Sequence, residues 1–272
     1  MTTEKRGTEV FGNFEVSEGR LKTRREVLLM GALAAGGAVM SSAAQAAPSV
    51  PQSAVSVAAF RPSQPVLAKD FNHLVSKPME GLSPKQIEPH LKLYQGYVAK
   101  TNEIHNALNT VDLTTPAPNA TYHPLRELLM EQSYALNGVV YHELYFGNLG
   151  GAGGMPTGDL ANAIDASFGS MGKFMDFFKA SGKCMRGWVI VGWNERDGQL
   201  RAYGLDLHNM WVPAKVVPVV VLDVYEHAYM IDYGINRGAY LDAFLKNVDW
   251  NVCNRRLEMA MKLGHAGPEA TA

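Results

Sequence analysis

The run KVVPVVVLDVYEH sets an acid and an imidazole four residues apart: Asp223 closes an apolar, strand-like stretch and His227 follows on the next turn. An acid at a strand end and a histidine just beyond it can converge on one ion. A carboxylate with imidazoles suits iron, manganese or zinc rather than calcium, which takes oxygen ligands. The D-x-x-x-H spacing alone is a weak signal, and a buried histidine with a structural aspartate partner fits it too. Two more of the eight histidines, His90 and His142, fall on the apolar faces of helical segments. An imidazole buried there without a partner costs free energy, so each needs a bond. His73, His105, His123 and His265 lack such a setting and read as surface or capping groups.

The elements that must position these groups follow from periodicity. Ser83-Pro84 offers an N-cap followed by proline at the first helical position. Ile87, Leu91, Tyr94, Val98, Ile104 and Leu108 then make one apolar stripe of a long helix. TTPAPNATYHP (114–124) is a loop, and a second helix is expected over about 125–149, ending at GNLGGAGG. Two long helices joined by a loop make a hairpin, which can present His90 and His142 toward each other. Helices over 158–166 and 168–181 follow. GWVIVGW (187–193) and QLRAYGLDL (199–207) flank an Asp197-Gly198 turn and read as a β-hairpin. KVVPVVVLD (215–223) is a third strand, with Pro218 predicting an edge or irregular pairing. One C-terminal helix is expected over 239–262. The fold class is α+β: an N-terminal long helical hairpin (81–152), then a domain of helices around a three-stranded antiparallel sheet (153–265), with a tail at 266–272.

Composition excludes several classes of function. The 272 residues are 47% hydrophobic, which rules out a disordered chain, and the formal charge of −1 argues against nucleic-acid binding. Two cysteines make neither a disulfide framework nor a four-cysteine zinc site; Cys184 and Cys253 read as free core thiols rather than a disulfide.

The N-terminal 46 residues read as an export signal. Val27–Met40 is apolar and rich in glycine and alanine, and a 14-residue helix rises only about 21 Å, short of a bilayer core of about 30 Å. Small residues at Ala44 and Ala46 suit a signal peptidase. Paired Arg24 and Arg25 before a weakly apolar run resemble a twin-arginine signal, which implies the twin-arginine export machinery and a periplasmic location. Residues 47–80 read as a linker or extended arm, on the strength of an aperiodic Ala/Val/Ser/Pro/Gln-rich stretch.

VLDVYEHAYMIDY closely resembles the D-V-W-E-H-A-Y segment of the iron/manganese superoxide dismutases. IEPHLKLYQGYV and NGVVYHELYF resemble that family's two helical segments that each carry a ligand histidine, and FGSMGKFMDFF and RGWVIV those leading into its sheet. The resemblance covers roughly residues 70–260. It implies His90, His142, Asp223 and His227 as ligands of one Fe or Mn per subunit, with a solvent completing five-coordination. It implies an enzyme that disproportionates superoxide to dioxygen and hydrogen peroxide, and a homodimer or higher homo-oligomer. The rival is a structural or metal-storing homologue on the same scaffold, without turnover.

The resemblance also assigns surrounding residues. Tyr97 resembles the tyrosine at the mouth of the family's substrate channel, but lies seven residues after His90 where the family has eight. Seven residues return to within roughly 20° of the same helix face. Tyr94 shares that face and stands where the family usually has a histidine, so either tyrosine could gate. The tyrosine that such a histidine bonds in the partner subunit is here replaced by Met230. Glu226 corresponds to a residue that bonds the His227 position of the other subunit. His208 resembles the family's outer-sphere donor, Gln or His, placed on the sheet side, while Gly138 stands where iron-type members often place that glutamine. Trp188, Tyr225 and Phe146 match aromatic positions around the metal, the last two replacing tryptophans.

Overall fold

The structure, a computed structural model, describes residues 64–115 and 117–264. The expected export segment, residues 47–63 of the arm, His265 and the tail lie outside the described residues. Residues 64–72 run in extended and turn conformation into a short helix, α1 (His73–Ser76). Asn102 ties this stretch to the hairpin, its side chain accepting from the Val66 amide and donating to the Val66 carbonyl.

The hairpin consists of α2 (Pro84–Thr110) and α3 (Pro124–Asn148). Ser83 caps α2, its Oγ accepting from the Gln86 amide at 3.1 Å, and Pro84 supplies a preset φ at the first helical position. The stripe that buries Ile87, His90, Leu91, Tyr94, Val98, Thr101 and Ile104 faces α3 and the core. His123 caps α3 through Nδ1, which accepts from the Leu125 amide at 3.1 Å, as the capping expectation required.

Two helices, α4 (Gly158–Phe168) and α5 (Met171–Cys184), lead into the sheet of β1 (Trp188–Asn194), β2 (Gln199–Leu205) and β3 (Val216–Asp223). The strand order is β2-β1-β3, all antiparallel. Pro218 is on the edge strand β3, where its missing N–H breaks no interior ladder. The register also slips there: Val191 pairs with Val220 and Gly192 with Pro218. A Cβ at Gly192 would fall 2.4 Å from a Val216 methyl, so this close approach demands glycine. The central strand β1 is buried along almost its whole length, and one apolar core runs from the hairpin through the sheet.

The C-terminal end differs from expectation. Instead of one helix there are α6 (Met230–Tyr233), α7 (Arg237–Lys246) and α8 (Trp250–Gly264), preceded by a 3-10 turn at Glu226–Ala228. Helical periodicity passes through Asn247–Asp249, but tertiary bonds win there. The Asn247 amide group donates to the carbonyls of Glu80 and Ala243, and the Asp249 amide donates to the Asn148 carbonyl. Both cysteines are free, as expected, but only Cys253 is a core thiol; Cys184 ends α5 and is exposed. Burial pushes the Cys253 thiol up to about 12.

Candidate metal centre

Four elements deliver four donors to one point. His90 comes from the second turn of α2, His142 from α3, Asp223 from the last residue of β3, and His227 from the 3-10 turn that follows. One ligand atom from each lies within 4.8 Å of the other three. His90, His142 and Asp223 are fully buried at their side chains, while His227 is 30% exposed.

Asp223 is oriented by the backbone. Its Oδ1 accepts the Tyr225 amide at 2.8 Å, which leaves Oδ2 to face the imidazoles. That oxygen is 3.2 Å from Nε2 of His90, 3.2 Å from Nε2 of His227 and 3.7 Å from Nε2 of His142. The Asp223 carbonyl accepts from the Tyr240 hydroxyl at 2.6 Å, fixing the strand end itself.

Burial alone would raise the Asp223 carboxyl, but the His227 and His90 imidazoles beside it hold it well below the carboxylate range. Burial depresses His90, and lowers His142 to about 3 with help from His90. The arrangement near neutral pH is therefore one carboxylate among neutral histidines, with lone pairs available. Nδ1 of His142 donates to the Gly138 carbonyl at 2.5 Å, so Nε2 carries the lone pair. That Nε2 is buried without any hydrogen-bond partner. An orphaned acceptor aimed at a carboxylate and two more imidazoles is a poor structural device and a good metal site. The donor set fits Fe, Mn or Zn.

The surrounding residues named from the sequence are also here. Phe146 and Trp188 stand edge-on to the ligands, at 4.8 Å from His90 and 5.1 Å from His142, and Tyr225 stacks on His227 at 5.1 Å. The two tyrosines of α2 separate clearly. Tyr97 lies 5.4 Å from the His142 ring and its hydroxyl is 2.8 Å from Nε2 of His208. Tyr94 is buried, but its hydroxyl turns away, accepting from the Lys69 amide at 2.8 Å and donating to Glu143 at 3.0 Å. Burial pushes the Tyr94 phenol up to about 12 and raises Tyr97 further, with Tyr134 and Asp223 adding to the latter.

His208 lies just beyond β2 rather than within it, and the Asn137 side chain holds its carbonyl at 2.9 Å. Burial lowers its imidazole to about 4. Gly138 has a packing reason to be glycine: a Cβ there would meet the Tyr97 ring at 2.8 Å. Glu226 is exposed and, with His227, Arg186, Arg237 and Tyr225, lines a surface hollow of about 650 Å³. Met230 is exposed nearby.

Sequence reasoning missed Gln86. It is fully buried one turn before His90, its amide nitrogen donating to the His227 carbonyl at 2.6 Å and its oxygen accepting the Ile231 amide at 3.0 Å. It clamps the ligand-bearing turn to α2. A glutamine on an apolar stripe, four residues before a candidate ligand, was the available signal.

Comparison with known proteins agrees with this geometry. Residues 156–256 match the family model for iron/manganese superoxide dismutases, C-terminal domain. A superoxide dismutase (Fe) of Aquifex aeolicus is 42% identical over 194 residues, spanning 70% of this chain and 91% of the relative. One from Cupriavidus metallidurans is 36% identical over 188 residues, 68% of this chain and 92% of the relative. A superoxide dismutase (Mn/Fe) of Aeropyrum pernix is 32% identical over 142 residues, half of this chain and 66% of the relative.

Proposed function

This chain belongs to the iron/manganese superoxide dismutase family, and from that premise we propose that His90, His142, Asp223 and His227 hold the one Fe or Mn ion per subunit at which it disproportionates superoxide. The observation that carries the assignment is the convergence of four donor atoms within 4.8 Å of one another around the orphaned Nε2 of His142. Bound there, iron or manganese supplies a one-electron couple between +3 and +2, oxidising one superoxide to dioxygen and reducing a second to hydrogen peroxide.

The chain's own residues do the rest. Three neutral imidazoles and one carboxylate give a ligand set of charge −1, suited to a cation that changes by one charge. Asp223 is kept ionised and His142 in one tautomer by backbone partners, so neither reorganises when that charge changes. Phe146, Trp188 and Tyr225 exclude water around the ligands. Tyr97 is the gate: its hydroxyl stands at the His208 side of the ligand cluster and can hold a proton for the product. Tyr94 positions Glu143 and the Lys69 backbone instead.

The same reading extends to assembly and location. Glu226 is exposed beside a His227 whose outer face is open, which suits a homodimer in which Glu226 of one copy bonds His227 of the other. The paired Arg24 and Arg25 support export by the twin-arginine machinery to the periplasm. His208 in place of glutamine favours iron with residual manganese activity; His208→Gln would move the ratio toward manganese.

Purified chain of known metal content, assayed for superoxide consumption, tests the function. Turnover that scales with bound iron or manganese is expected. One metal per chain without turnover would leave only a metal-binding homologue.

A further inference from the structure

Trp188 and Asp206 fix the two ends of a run of polar side chains beside the ligand cluster. The indole N–H of Trp188, which can only donate, points at Nδ1 of His208 at 2.9 Å. In the neutral ring Nδ1 is therefore the bare nitrogen, and the single proton sits on Nε2, 2.8 Å from the Tyr97 hydroxyl. At the other end the Tyr225 hydroxyl donates to the Asp206 backbone carbonyl, which can only accept, at 3.3 Å. Tyr134, on α3 two turns before His142, links these ends. Its ring lies edge-on to His208 at 4.6 Å and 6.3 Å from that of Tyr97, and its hydroxyl is hydrogen-bonded with both Tyr97 and Tyr225.

Each phenol has one proton to give. Tyr225 spends its proton on Asp206, so its oxygen accepts from Tyr134. Tyr134 then accepts from Tyr97, and Tyr97 from Nε2–H of His208. Every donor is used once, and the direction is the same whichever end it is followed from.

We infer that Tyr134 is a positioning residue of this site: it closes a one-way hydrogen-bond chain from Trp188 through His208, Tyr97 and Tyr225 to the Asp206 carbonyl, and so holds His208 as the Nε2–H tautomer. Two residues make the chain possible beyond Tyr97 and His208. They are the half-buried Tyr134 and the tyrosine at 225, a position where the resembled motif has tryptophan and no hydroxyl. A consequence follows for His208. A glutamine amide carries two N–H donors, whereas this imidazole has one, and the chain commits it to Tyr97. The Tyr97 hydroxyl in turn rests with its proton toward Tyr134. The significance for turnover rests on the dismutase reading, but the chain itself is tested without turnover.

The test is imidazole nitrogen NMR of the full chain loaded with Zn²⁺, a diamagnetic ion that accepts the same nitrogen and oxygen donors. Wild type should show His208 with a bare Nδ1 and a protonated Nε2. Trp188→Phe should keep that tautomer, because the chain through Tyr134 still imposes it from the Asp206 end. Trp188→Phe combined with Tyr134→Phe should show mixed tautomers. Since Trp188 is fully buried and its replacement can compromise folding, Tyr134→Phe alone gives a second measurement. It should speed solvent exchange of the His208 Nε2 proton about fivefold or more, the factor for one lost hydrogen bond. A wild-type Nδ1–H ring, a mixed tautomer in Trp188→Phe alone, an unchanged tautomer in the double variant, or unchanged exchange in Tyr134→Phe would each overturn the inference.

Discussion

Gly138→Ala places a Cβ 2.8–3.1 Å from three atoms of the Tyr97 ring, closer than such contacts occur in folded proteins. The ring is no loose end that can swing aside, because its hydroxyl is bonded to His208 at 2.8 Å and its face lies against His142. Either α3 moves or the phenol does. Overpacking of this kind costs about 1–3 kcal/mol, while replacing a mid-helix glycine returns about 1 kcal/mol of helix propensity. The net is about 0–2 kcal/mol of lost stability. Gly96→Ala is the matched control: it lies in α2 with nothing within 4 Å of the added carbon, so it should gain the propensity term alone. The two variants should differ by about 1–3 kcal/mol, or about 2–12 °C in Tm for a chain of this size. Displacing Tyr97 by several tenths of an ångström also weakens its bond to His208. Superoxide consumption per bound metal should therefore fall about fivefold or more in Gly138→Ala and stay at the wild-type level in Gly96→Ala. Equal melting temperatures with unchanged turnover in both would refute the packing argument and the placement of Tyr97.

The two tyrosines of α2 give a second contrast: Tyr97→Phe should retain metal and lose turnover, whereas Tyr94→Phe should retain both and loosen the 64–70 segment, read as faster proteolysis there. Reversed phenotypes would show that Tyr94 is the gate. Gln86→Leu removes the clamp on the 227–231 turn and leaves the His227 carbonyl and Ile231 amide unpaired, so it should cost about 2 kcal/mol or more and lower metal retention; an unchanged denaturation midpoint would contradict this. For pH, the histidine and aspartate effects act in different windows. His90, His142 and His208 are depressed below 6.5 in the fold, so below that pH the unfolded chain binds protons that the folded chain refuses. Asp223, depressed below 3.8, keeps its contribution at pH 5 and loses it only in stronger acid. The metal-free protein should thus lose stability from pH 7 to pH 5, by about 2 kcal/mol for a histidine such as His142. Urea titrations that superimpose at the two pH values would count against buried neutral histidines.

Much of this architecture could be read before the structure. The hairpin followed from a Ser-Pro start and one apolar stripe, the sheet from the Asp197-Gly198 turn and three β-rich runs, and the edge position of β3 from Pro218. Local signals sufficed there because packing agrees with them. They failed where tertiary bonds overrule them, as at Asn247–Asp249, where side-chain and backbone partners from Glu80 and Asn148 break an otherwise helical pattern. Cys184 could not be placed, since a helix end has no face that periodicity identifies. The donors His90, His142, Asp223 and His227 were legible only together, because any one of them has a structural explanation. Gln86 and Tyr134 act through partners more than 70 residues away, so nothing in their neighbourhoods announces them.

The central claim, that four side chains from α2, α3, β3 and the following turn form one metal centre, is tested most directly by metal analysis of purified His142→Ala beside wild type. His142 is the informative choice because its Nε2 is the buried atom without a partner. Wild type should carry about one iron or manganese per chain, and His142→Ala about a tenth of that or less, with a lower melting temperature. Full metal content and an unchanged melting temperature in His142→Ala would contradict the site.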